Sequence, residues 1–240
     1  MDPRWMHAST SIAPEDLPTV APLPPPLVPG AAVGQIALPR VFGLSSAPLE
    51  GAITTRRSAT AFNPYVSTPQ ATLSRLLSLS CGLTTATDKA AKIRFRRASP
   101  SAGARYPIDT YVISQRVKGL SPGVYRYVQA DHSLLWLREG NFGSALAGWL
   151  LDQPSFRDVS ASFVLAGNME RLEDRYGARG YRYMLLEAGH IAQNLCLLGA
   201  TLGLGVQVCG GFVDAAINRL IGCETSTNYA LYVIGVGQPA

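Results

Sequence analysis

Charge is scarce in this chain. Asp, Glu, Lys and Arg make up 15% of its 240 residues, against roughly a quarter in an average soluble domain. Apolar residues reach 47%, yet no uninterrupted apolar run approaches the roughly 18 to 20 residues of a membrane span, so a well-buried globule is expected. Only four cysteines are present (Cys81, Cys196, Cys209, Cys223), with neither a CxxC spacing nor a paired-histidine pattern. That argues against a structural zinc site and against a disulfide framework, and favours buried thiols in a reducing compartment. No Walker A, HExxH, GxSxG or EF-hand loop occurs, so kinase and hydrolase readings lack support. The N-terminal MDPRWMHAST is followed by no apolar signal core, so a cytoplasmic location is expected. The length fits one large domain or at most two small ones.

What charge there is sits unevenly. Of 21 basic residues, Lys89, Lys92, Arg94, Arg96 and Arg97 fall within nine positions, leaving 16 basic against 16 acidic elsewhere. A local cluster of this kind favours an anionic ligand over general nucleic-acid coating, and no membrane or nucleic-acid partner is expected. Proline is uneven too: residues 1–50 hold ten of seventeen. Such a composition opposes helices and sheet ladders alike, so 1–50 reads as a tail, or as an arm that wraps a partner through Leu23, Leu27, Val28, Ile36 and Leu38. The folded domain is expected over 51–240.

Helices are expected over Pro48 to Arg57, Ala71 to Leu79 (with Thr68-Pro69 as N-cap and first-turn proline), Phe142 to Leu151 and Arg179 to Leu202. In the last, Met184, Ala188, Ile191, Leu195, Leu198 and Leu202 recur at spacings of three and four, the mark of a core helix. Strands are expected at Thr110 to Ser114, Val124 to Val128, Leu134 to Leu137, Ser162 to Ala166 and Ala230 to Val236. Helices and strands do not alternate, which favours an α+β arrangement over a doubly wound parallel sheet.

Four segments can carry chemistry. Arg56-Arg57-Ser58 offers forked donors and a hydroxyl suited to a phosphate monoester, although an isolated pair of this kind also serves as a solvated helix end. Residues 97–107, RASPSAGARYP, form a small-residue loop against which a planar ligand can lie, or an ordinary turn before a strand. Gly199 to Gly205, with the GLG at 203–205, follows a helix rather than a strand, so a dinucleotide fingerprint fails on context; these glycines, and Gly210-Gly211 after Cys209, read as a helix stop and a close backbone approach. Arg175-Tyr176 pairs a phenol with a guanidinium whose field favours acid–base work, or else an aromatic packed under a helix end. His190, alone on the long helix, reads as a core or interface residue.

Taken in order, RRS…F (56–62), RxSPSAGAxYP (97–107), GVYRY (123–127), RYGARGYRYxLLEAGHIAQNL (175–195), LGLG (202–205), GGF (210–212) and VIGVGQP (233–239) resemble the SagB-type dehydrogenases, FMN-dependent azoline oxidases of the nitroreductase superfamily, over about residues 51–240. The resemblance implies an α+β homodimer, with a central mostly antiparallel sheet flanked by helices and FMN held at the subunit interface. By position, Arg56, Arg57 and Ser58 would take the phosphate and ribityl end, and Ser99, Pro100, Ser101, Ala102 and Gly103 would lie along the isoalloxazine. Gly203, Leu204, Gly205, Gly210 and Gly211 would approach its other side, and Gln193 or Asn194 would reach it from the partner subunit. The dimer interface is expected on the long helix, around Gly189, Gly199 and the stripe from Met184 to Leu202. The chain departs from the family at Thr60 and Gln238, where many relatives are basic, which puts more of the phosphate's charge on Arg56, Arg57 and Arg97. It departs again at Arg175-Tyr176, where relatives often carry Lys-Tyr. A guanidinium is no base at neutral pH, so proton abstraction moves toward Tyr176.

The implied reaction is oxidation of a thiazoline or oxazoline ring to the azole, on a ribosomal peptide or carrier-bound intermediate, alongside a cyclodehydratase or synthetase. Arg94 and Arg96 would then help bind an acidic leader or carrier. Two other readings stand beside it: an NAD(P)H-dependent nitro or quinone reductase of the same fold, and a flavin-free scaffold presenting the Pro-rich arm.

Overall fold

The computed structural model describes residues 3–16, 22–27, 30, 32–40, 47–85, 95–151, 153–224 and 227–240. Val28, Lys89, Lys92 and Arg94 lie outside them.

The architecture follows from two strands that are apolar on both faces. In β5 (Ile108–Ser114) and β9 (Ala161–Asn168) nearly every residue is buried. Because side chains alternate across a strand, Ile108, Val112, Phe163 and Leu165 join one core while Tyr111, Ile113, Val164 and Ala166 join another. A sheet with two apolar faces must be covered twice. On the first face lie α3 (Gln70–Cys81), through Leu73, Leu76 and Leu77, and α6 (Gly180–Thr201), through Met184, Ala188, Ile191 and Leu195. On the second lie α4 (Gly143–Trp149) and α7 (Asp214–Ile221), through Leu146, Trp149, Ile217 and Leu220.

The sheet has seven strands among the described residues, in the order β1-β8-β7-β5-β9-β11-β10, with β1 Gly34–Ala37, β7 Gly123–Val128, β8 Ser133–Glu139, β10 Gly205–Cys209 and β11 Asn228–Gly237. Every neighbouring pair is antiparallel. The α+β, mainly antiparallel expectation is therefore met. Two short pairings flank the sheet: β2 (Thr68–Pro69) with β6 (Val117–Lys118), and β3 (Leu83–Thr85) with β4 (Arg96–Arg97).

Three differences from the sequence reading have physical reasons. Thr68 and Pro69 are not a cap and first turn: Thr68 pairs with Val117, and Pro69 occupies the N-cap position with no side-chain bond. The stripe expected at a subunit interface is spent inside the chain, since Met184, Ile191 and Leu195 fill its own first core, and Gly199 lies against Val206. The outward face of α6 instead carries Leu185 and Leu186, 44% and 54% exposed, with Gly189, His190 and Gln193. In the Pro-rich segment, β1 adds to the sheet edge on β8, and α1 (Pro3–Thr10) docks where Tyr181 and Tyr229 of the first core meet α7. There His7 stacks on Tyr229 at 3.9 Å, and the Ile12 amide donates to Asp214 Oδ2 at 2.8 Å.

Candidate active site

α6 separates two groups of candidate residues. Its C-terminal half borders an open cavity of about 470 Å³ lined by Thr55 to Ala61, Cys196, Ala200, Leu204 to Val206, Pro239 and Ala240. The chain enters this wall from α2 (Leu49–Thr55), and the Ala59 amide donates to the Val206 carbonyl at 3.0 Å. Gly205 permits that approach, because a Cβ there would stand 2.8 Å from the Ala59 Cβ. The reading of the glycines as a helix stop and close approach is thus visible: α6 ends before Gly203, whose φ is +66°, and the Leu204 amide closes back on the Gly199 carbonyl at 2.9 Å. Of the two arginines, Arg57 folds back, donating to the carbonyls of Thr54 (3.0 Å) and Arg56 (2.8 Å). Arg56 makes no such bond and lines the cavity. Thr60 lines the same wall, and the Gln238 carbonyl accepts from the Asn63 amide.

Over the N-terminal half of α6 lies the 97–107 loop. It is strained: Gly103, Ala104 and Tyr106 have φ of +58°, +53° and +48°, a conformation that costs a non-glycine residue roughly 1 kcal/mol or more. Hydrogen bonds hold the path. The Tyr106 amide donates to Ser101 Oγ at 2.8 Å, the Ala104 amide to the Ser101 carbonyl at 3.1 Å, and the Arg97 amide to Tyr106 Oη at 3.2 Å. The Arg97 guanidinium lies 4.7 Å over the Tyr106 ring. Across the loop stands α5 (Glu170–Tyr176), whose last residues close on Gly103. A Cβ at Gly103 would meet Tyr176 Oη at 2.6 Å and Arg175 Nη1 at 3.1 Å. Tyr176 is also packed edge-on against Tyr183 at 4.9 Å, and the Arg175 guanidinium lies 5.5 Å from its ring. The packed-aromatic reading of that tyrosine is visible in these contacts, and its hydroxyl stands at the Gly103 ledge.

Beneath this loop is a buried charge cluster. Asp109 accepts from Arg171 Nη2 at 2.8 and 3.1 Å and from Arg126 at 3.4 Å, and Arg171 Nη1 also donates to the Tyr106 carbonyl at 2.9 Å. Glu187, 2% exposed on α6, has its carboxyl pushed up to about 7 by burial, against the opposing pull of Ser101, Arg97, the Ile108 amide and Arg171. Burial likewise lowers Arg97, an effect opposed by Cys81, Glu187 and Asp109. Three groups here are buried without a hydrogen-bond partner: Ser99 Oγ, Arg97 Nε and both Glu187 carboxylate oxygens. A polar group left this way is costly unless a ligand or water completes it. A phosphate would suit the cation-lined cavity, and a flat ring the small-residue ledge beside the orphan Ser99 hydroxyl, with α6 between the two.

The remaining candidates are dispersed. Gln193 is exposed on α6, and Asn194 donates to the Ser80 carbonyl at 3.2 Å. Gly210 lines a separate cavity with His7, Tyr181 and Asp214, while Gly211 lies against Leu151. His190 is exposed, Arg96 lies exposed on β4, and Arg97 belongs to the loop rather than the 470 Å³ cavity. Sequence reasoning missed Asp109, Arg171 and Glu187. The signal for Glu187 was present, because a glutamate three residues after Met184 and four before Ile191 falls on the buried stripe.

Comparison with known proteins agrees with the fold. Residues 53–238 match the nitroreductase family. The nitroreductase-named protein MJ1384 of Methanocaldococcus jannaschii is 37% identical over 139 residues, covering 58% of this chain and 69% of MJ1384. The microcin B17-processing protein McbC of Escherichia coli is 29% identical over 148 residues, 58% of this chain but only 53% of McbC. Among solved structures, the E. coli microcin synthetase McbBCD complex with truncated pro-MccB17 bound superposes with a TM-score of 0.67 at 22% identity, covering 98% of this chain and 86% of the matched one. No helix among the described residues is long and apolar enough to cross a membrane. Seven antiparallel strands between two helical layers, with motifs in the order of the resemblance, thus coincide with a match over most of the sequence: the chain belongs to the nitroreductase family and is related within it to the SagB/McbC-type dehydrogenases.

Proposed function

We propose that this protein is an FMN-dependent dehydrogenase that oxidises a thiazoline or oxazoline ring to the azole on a peptide or carrier-bound intermediate. The observation that carries this reading is the placement of Tyr176 Oη and Arg175 against Gly103, a phenol and a cation on the ledge where a flat ring system would rest. When bound, FMN supplies the two-electron acceptor for the hydride. The chain's own part is to hold the substrate flat, to keep Tyr176 in place so that its phenolate form receives the proton lost from the ring carbon, and to present the Arg175 charge where negative charge develops. Arg56, with Ser58 beside it, takes the phosphate in the 470 Å³ cavity; Ser99 to Gly103 lie along the flavin ring. McbC, which processes microcin B17, supports a peptide substrate, and the McbBCD complex supports work beside partner enzymes. Arg96, exposed on β4, would lie near an acidic leader or carrier.

The functional unit is a homodimer. Its interface is the outward face of α6, where Leu185, Leu186 and Gly189 stand free, extended by Leu49 and Ile53 of α2, both more than half exposed. Gln193, on the same face, is the residue that would reach the partner's flavin.

Purified protein incubated with FMN and an azoline peptide tests the proposal. The expected product lacks two hydrogens relative to the substrate, whereas protein that stays colourless after incubation with FMN would defeat it. A second reading rests on the likeness to MJ1384: an NAD(P)H-dependent nitro or quinone reductase. Rapid flavin bleaching by NADPH with turnover of nitroaromatics, and none of azoline peptides, would establish it instead.

A further inference from the structure

Tyr176 needs a support that its own helix does not give. It is the last residue of α5, a helix of 7 residues, and Gly177 follows it at φ +50°. Its own φ and ψ, −123° and −8°, have already left the helical range, so the chain is turning away beneath the phenol. Among the described residues the Tyr176 hydroxyl makes no hydrogen bond. What holds the side chain is packing.

Two groups border the ring: the Arg175 guanidinium at 5.5 Å, and the Tyr183 ring, edge-on at 4.9 Å with 74° between the planes. The second is an arrangement that aromatic pairs favour. Arg175 is exposed and rides on the same short helix as Tyr176, so it fixes little. Tyr183 belongs to a firmer element. It stands in the first turn of α6, one residue before Met184, which is fully buried in the first core. Successive helical residues are turned by about 100°, so the tyrosines of this turn face different ways: Tyr181 meets Tyr229, and Tyr183 meets Tyr176.

The corner between α5 and α6 is closed by contact. No side chain caps α6. Gly180 instead lets its first turn lie against the root of α5, since a Cβ there would stand 2.8 Å from the Leu172 Cβ and 2.9 Å from the Met169 Cε. That approach brings Tyr183 beside Tyr176. On the far side of the phenol is Gly103, whose missing Cβ leaves room for Tyr176 Oη. The Tyr183 hydroxyl makes no hydrogen bond among the described residues, so its contribution is the ring.

We infer that Tyr183 is a positioning residue: its ring, fixed to the core through α6, holds the Tyr176 phenol at the Gly103 ledge. That the phenol acts on a substrate there rests on the proposed function; that Tyr183 places it does not.

NMR of the purified protein, labelled in its tyrosine rings and glycines and assigned with Tyr176→Phe, reads the placement directly. A nuclear Overhauser contact between the Tyr176 ring and the Gly103 α-protons should be present in the wild type and in Tyr183→Phe, and lost in Tyr183→Leu. In turnover of an azoline peptide by the FMN-loaded protein, Tyr183→Leu should lower kcat about ten- to a hundredfold, the cost of a misplaced reacting group, with KM and FMN affinity unchanged. Tyr183→Phe should restore the rate. A contact that persists in Tyr183→Leu overturns the inference, as does turnover by that variant at the wild-type rate, or a Tyr183→Phe protein as slow as Tyr183→Leu. If Tyr183→Leu does not fold, Tyr183→Met serves, since it fills the space without a ring and carries the same expectations. A wild type that oxidises no azoline, together with a contact that Tyr183→Leu abolishes, sinks the dehydrogenase reading and upholds Tyr183 as the support of the phenol.

Discussion

The two ends of α6 are built on opposite terms. At the C-terminal end the cavity wall consists of backbone close-approach at Gly205, an exposed Ser58, and arginines whose charges remain in contact with water. Little there is strained, and little is buried at a cost. At the N-terminal end a loop with three left-handed residues, Gly103, Ala104 and Tyr106, lies near a buried carboxylate, a guanidinium with a buried Nε and an ion-paired aspartate. The first end can bind an anion with groups that water would satisfy anyway. The second stores strain and desolvation that only a precise geometry justifies. In the proposed enzyme the first end anchors the cofactor, and the second performs the chemistry.

That contrast can be broken from the costly side first. Tyr176→Phe should lower azole formation by about ten- to ten-thousandfold, the range for losing a general acid or base, while FMN absorbance of the purified protein is unchanged. Equal turnover would reduce Tyr176 to a packing residue against Tyr183. Arg171→Met should destabilise the fold by about 3 kcal/mol, measured as a shift of the urea midpoint, because it leaves the buried Asp109 with only the 3.4 Å contact to Arg126 and releases the Tyr106 carbonyl.

A pH series sharpens the same side. The Glu187 carboxyl is held near 7 in the folded chain against an ordinary 4.5, so the native state binds more protons than the unfolded one between those values. Its stabilising contribution is full below about pH 4.5 and is lost as pH rises through 7, by ~3 kcal/mol in total. Urea midpoints between pH 5 and 8 should therefore fall with a slope that Glu187→Gln flattens. From the inexpensive side, Arg56→Ala should weaken FMN binding about ten- to a hundredfold, the loss of a charge-assisted contact. Arg57→Ala should weaken it less, because Arg57 is already engaged with the Thr54 and Arg56 carbonyls. Fluorescence titration of FMN distinguishes the two.

The same contrast explains what was legible in the sequence. The long helix, the five main strands and the α+β class follow from periodicity, which survives without any knowledge of partners. The short strand β10 was hidden because Gly203 to Gly205 reads as a terminus, and nothing in GVQVC announces that its edge will pair with β11. Parts of the open cavity's wall were legible because Arg56-Arg57-Ser58 and Leu204-Gly205 belong to conspicuous local runs, although the sequence alone assigned the two runs to different places. The cluster under the loop was not, because Asp109, Arg171 and Glu187 are far apart in sequence and ordinary in type, and only the fold brings them together. The apolar stripe of α6 was misread for a related reason. Periodicity identifies the apolar stripe, but not whether the chain's own sheet or a second subunit covers it.

The central claim is that electrons flow from an azoline into the bound flavin. Anaerobic mixing of the FMN-loaded protein with an azoline peptide tests it most directly, followed by flavin absorbance and peptide mass in the same sample. The account predicts loss of the oxidised flavin band with one azole formed per flavin reduced, and recovery of the band on admitting oxygen. A flavin that stays oxidised with the azoline peptide, yet bleaches at once with NADPH, would contradict it.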